Sequence, residues 1–205
     1  MPGGVAAPFN NNVAVKVGTE QSETACTVAL GETGATKLAD WTEETYTFTP
    51  EADGDYCVGI NITTQLYQSS YVAFDDLSVT GTEPDNGGTE PGGGDTPNPP
   101  PGDTQSLFSE NFDDDSHFAD GSTVPTGWVS QGTYPFSRHE GSYFGLGSHS
   151  GDYVFGTASA SASFNRDEAF YTPMVNLKGG TEYTLTYWYK APGGASSMYY
   201  TNITT

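Results

Sequence analysis

The sequence predicts an all-β fold, an antiparallel sandwich, and three observations carry that reading. Strand-forming residues dominate, with 13 Tyr and 11 Phe among the 205 residues and Thr, Val and Gly throughout. The runs of Ala, Leu, Glu, Lys and Arg that build long helices are missing. Short apolar-alternating segments recur at roughly 8–12-residue spacing between Gly, Pro and Asp turns, the rhythm of a sandwich.

Taken in order, residues 9–17 read as a strand with Val13, Val15 and Val17 on one face. A polar stretch follows, with one short strand around Thr27–Leu30. Thr45 to Thr49 alternates strictly until Pro50, which cannot donate to a ladder. Glu51–Asp55 is a turn, after which Tyr56, Val58, Ile60 and Ile62 share a face, so the two strands are expected to pair as a hairpin. Ser70–Val79 is the next strand. Phe74 and Leu77 are both apolar but differ in parity, which places a bulge at Asp75-Asp76.

Thr82 to Gln105 has no apolar side chain beyond proline, so it cannot bury enough surface to offset the entropy of ordering. Its Gly-Gly steps and Pro99-Pro100-Pro101 make it a tether, able to cover roughly 25 Å r.m.s. and so to reach across a domain. Beyond it, Leu107–Phe112 is a strand followed by the acidic turn Asp113-Asp114-Asp115. A further strand is expected to begin with Thr126–Val129 after Pro125, another at Asp152–Gly156, and Ala169–Leu177 is a further extended segment. Tyr183, Leu185, Tyr187 and Tyr189 share a face of the most regular strand in the chain, with Trp188 on the opposite face.

The net charge of −20, from 26 acids against six bases, leaves no material for a basic patch. Nucleic acid and anionic membrane surfaces are therefore poor partners. No run of 18 apolar residues exists to insert in a membrane. Met1-Pro-Gly-Gly is not a signal peptide, so an export signal is expected upstream. Cys26 and Cys57 permit one disulfide or remain two buried thiols; neither has metal-ligand spacing.

Residues 1–15 align without gaps on residues 191–205: Pro, two Gly and Asn12/Asn202 are identical, and Phe9 meets Tyr199. The chain thus ends as it began. The expected organisation is residues 1–81 as the end of one repeat, 82–105 as linker, and 106–205 as the start of the next. Either piece alone would expose an open apolar face and unpaired edges, so the two are expected to close one sandwich in circularly permuted order. The duplicated strand, at 9–17 and 198–205, competes for one slot and opens a route to domain-swapped self-association.

Phe108–Asp114 with Val124–Trp128, then Phe170–Tyr189, then Phe48–Ile60 with Tyr71–Val79 resemble the beginning, middle and end of one kind of module. These are the jelly-roll modules of bacterial surface proteins called choice-of-anchor J or cleaved-adhesin domains, with a more distant likeness to MAM domains. The resemblance covers most of the chain outside the tether, in swapped order. It implies a secreted or cell-surface protein of Bacteroidota type, adhesive or carbohydrate-associated, often with a structural calcium. A host or matrix glycan, or a surface protein, is the implied partner.

In a jelly roll the first and last strands lie side by side, so acids on them converge. The resemblance assigns a calcium to Glu110, Asp113 and Asp76, with Asp75 beside them, and hard oxygen ligands suit that ion. Asp113–Asp115 is not an EF-hand loop, lacking the sixth-position Gly and the closing Glu. No catalytic pattern stands out: there is no H-E-x-x-H around His117, His139 or His149 and no G-x-S-x-G, and no carboxylate pair is singled out. The expectation is a non-catalytic module. Trp41, Trp128 and Trp188 are the candidate sugar-stacking rings, since an aromatic face packs on the apolar face of a pyranose. The alternatives are a structural spacer that binds nothing, or an accessory module of a secreted hydrolase.

Overall fold

The strands before and after the tether interleave in both sheets. A computed structural model of the chain describes residues 11–33, 38–64, 71–82, 104–142, 145, 147–157 and 166–191. Before the tether come β1 (Asn11–Gly18), β2 (Val28–Glu32), β3 (Leu38–Phe48), β4 (Gly54–Thr64) and β5 (Val72–Thr82). After it come β6 (Thr104–Glu110), a 3-10 turn (Asp115–His117), β7 (Val129–Gln131), β8 (Ser137–Glu140), β9 (Tyr153–Thr157), β10 (Arg166–Tyr171), β11 (Val175–Leu177) and β12 (Tyr183–Ala191).

One sheet runs β2-β1-β4-β10-β7, with β11 also on β4; the other runs β3-β12-β5-β9-β8, with β6 also on β5. Every pairing is antiparallel. The two sheets pack face to face as an all-β sandwich. Alternation dictates which residues meet between them. Val13, Val15, Val58, Ile60, Ile62 and Phe170 come from the first sheet, and Phe74, Leu77, Val79, Phe155, Leu185 and Tyr187 from the second. Phe74 lies 5.1 Å edge-on to Phe170, a contact that joins both sheets and both sides of the tether.

Several local expectations are corrected. β3 and β4 do not form a hairpin. β12 pairs β3 along its length, while β1 takes one edge of β4 and β10 with β11 take the other. The link between β3 and β4 therefore crosses from sheet to sheet, pinned by Gly180 N–H to the Pro50 carbonyl and Gly179 N–H to Asp53 Oδ1. The segment 169–177 is two strands, because Pro173 has no N–H; Thr172 fills the jog by exchanging hydrogen bonds with Val58. The tether's ends need no long reach, since Thr82 pairs with Thr104 on neighbouring strands. The tether's interior, residues 1–10 and the second copy at 198–205 lie outside the described residues.

Candidate functional site

The candidate site grows from the bulge in β5. On one edge of β5, β9 pairs with Val72–Phe74 and β6 with Leu77–Thr82, so Asp75 and Asp76 fall in the gap between two partners. On the other edge the register against β12 slips between Thr186 and Trp188, and Asp76 takes a φ of 48°. The bulge keeps Phe74 and Leu77 both in the core despite their parity.

Loop residues close the gap. Asp75 Oδ2 accepts from the backbone N–H of His149 (2.9 Å) and Ser150 (3.1 Å), and Oδ1 from Asp76 N–H (2.9 Å). Asp76 takes the Ser150 hydroxyl at 2.7 Å and the His149 ring Nδ1 at 2.6 Å. Asp113 Oδ1 caps the same loop through the N–H groups of Asp152 and Tyr153. Asp75 is fully buried, and burial pushes its carboxyl up to about 7 against the stabilising pull of those N–H donors.

The antiparallel pair β5–β6 sets Leu77 opposite Glu110, so Asp76, Glu110 and Asp113 share one cleft of about 680 Å³ with Asn111, Asp114 and His117. Asp75 is not in its wall. Glu110 is turned inward, accepting from Phe112 N–H at 2.7 Å and holding His117 Nδ1 at 2.8 Å. The donor chemistry is that of a hard cation. In this arrangement each carboxylate is turned to its own donors. Among the described residues no three His, Cys, Asp or Glu side chains gather closely enough to hold a metal ion.

The three tryptophans separate. Trp128 is only 7% exposed, in the core against Phe108, Phe112, Phe155 and Phe170. It has no face free for a ligand, which removes it from the candidate set. Trp188 lies on the outer face of β12, where the loop held by Asp75 lays the His149 ring over it at 3.9 Å and 12°. Trp41 stands edge-on to His149 at 6.1 Å, with Lys190 Nζ 5.9 Å from its ring. The half-buried rings of Trp41 and Tyr71 pack on Ala73 and Val154 of the same outer face.

No family model, curated protein or solved structure matches the chain. Sequence reasoning missed His149 and His117 as parts of the site. His149 stands 73 residues from its partner Asp76, with no spacing motif to announce it.

Proposed function

We propose that this chain is a non-catalytic binding module of an extracellular, cell-surface protein that takes a neutral carbohydrate on the outer face of the second sheet. The observation carrying this reading is the Trp188–His149–Trp41 cluster, flanked by the polar groups of Asp76, Ser150 and Lys190. Aromatic faces ringed by a few hydrogen-bonding groups suit the alternating apolar and hydroxyl surfaces of a sugar ring. The charge of −20 weighs against sialylated or sulfated glycans and favours neutral ones, whether on a host surface, in a matrix or on a surface protein. Calcium is proposed as a structural ion of the adjoining cleft, drawn by Glu110, Asp113 and Asp76 with Asp75 behind them; it takes no part in a reaction.

A second reading has its own observation. His149 already occupies a face of Trp188, and if that stack stays closed the module is a spacer. An array of neutral and acidic oligosaccharides separates the two. Binding of neutral sugars by the intact chain, lost in Trp188→Ala and kept or strengthened in His149→Ala, is expected. No signal from either the intact chain or His149→Ala would leave the spacer.

A further inference from the structure

A second small cluster lies on the outer face of the first sheet, away from the aromatic site. Cys26 and Cys57 sit there with Ala169 and Tyr171, each cysteine 2% exposed. Their Sγ atoms are 3.8 Å apart, and both point at the carbonyl of Glu20, at 3.6 and 3.3 Å. Two glycines make the approach possible. Gly18 pairs with Cys57 across the β1–β4 ladder, and a Cβ on it would fall 2.4 Å from Cys26 Cα. A Cβ on Gly59 would press the Cys26 sulfur at 3.2 Å. The segment carrying Cys26 is mostly exposed, and Cys26 is its buried anchor on β4.

We propose that Cys26 and Cys57 form a disulfide that staples the 19–27 segment to β4. A bonded pair needs about 2.0 Å, so the sulfurs, 3.8 Å apart, have about 1.8 Å to close. The oxidant is a second disulfide, such as oxidised glutathione or that of a thiol–disulfide oxidoreductase. The Cys26 thiolate, favoured by a hydrogen bond from Cys57, attacks one sulfur of it and expels the other as a thiolate. Cys57 gives up its proton and displaces the second thiolate from Cys26. Two thiols are oxidised, one disulfide is reduced to two thiols, and both protons end on those products. Because both sulfurs are buried, exchange occurs as the chain folds or when the exposed 19–27 segment lifts.

The test folds the full chain in a glutathione redox buffer, then counts thiols with Ellman's reagent in guanidinium and weighs the intact protein. The expected result is no titratable thiol and a mass about 2 Da below that of the reduced chain. Reductant should lower the Tm by about 10 °C, given the loop closed by a bond between cysteines 31 residues apart. The Cys26→Ser, Cys57→Ser double variant should lose that response. Two free thiols, a glutathione adduct or a covalent dimer after oxidative folding would each overturn the proposal, and these readouts need only the unaltered chain.

Discussion

Asp75 shows how one carboxyl can serve the fold and be strained by it. Its two oxygens accept three backbone N–H groups, two of them from a loop more than seventy residues away, and this holds His149 on Trp188. Burial nevertheless raises its pKa to about 7. Between about pH 4 and pH 7 the folded chain therefore keeps a proton that the unfolded chain has released, and stability falls as pH rises through that window. Above it both states are ionised and this dependence levels off. Urea midpoints should drop from pH 5 to pH 8 in the parent and lose that component in Asp75→Asn. The variant should also cost about 1–3 kcal/mol at pH 5, because its amide NH₂ must face a backbone donor. Equal slopes in the two proteins would contradict the assignment. The bulge itself was legible, since Phe74 and Leu77 differ in parity around two acids. The loop that answers it was not, because a lone histidine among glycines carries no record of a distant partner.

At the scale of elements, alternation disclosed which side of each strand faces the core but not which strand lies beside it. β3 and β4 both alternate as read, yet they belong to different sheets, because pairing is decided by distant competitors such as β12 and β10. Trp128 fails in a related way. Composition cannot tell an inward ring from an outward one, and Trp128 fills a gap between Phe112 and Phe155. The juxtaposition of β5 and β6 was expected only from the resemblance to a jelly roll, whose first and last strands lie side by side. It also supplies a prediction. If calcium turns Asp76 and Glu110 toward one point, the Tm should rise about 5–10 °C at calcium a hundredfold above its dissociation constant. EGTA should reverse the shift, and Asp76→Asn with Glu110→Gln should abolish it. A Tm indifferent to both calcium and EGTA would mean that the cleft holds no such ion.

For the whole molecule, the site exists only because both sides of the tether contribute to it. Trp41, Asp75 and Asp76 come from before it; Glu110, Asp113, His149 and Trp188 come from after it. The core is shared in the same way, β4 with β10 in one sheet and β5 with β12, β9 and β6 in the other. Neither half could bury its apolar face alone, and the antiparallel meeting of Thr82 with Thr104 makes the tether a long connection between neighbours. The most direct measurement is a cut. A protease site placed within residues 83–103 is cleaved, and the product is run on size exclusion in native and denaturing buffer. The two pieces should elute natively as one body of the parent's 21.7 kDa size and part only in denaturant. Two independently folded monomers in native buffer would contradict it.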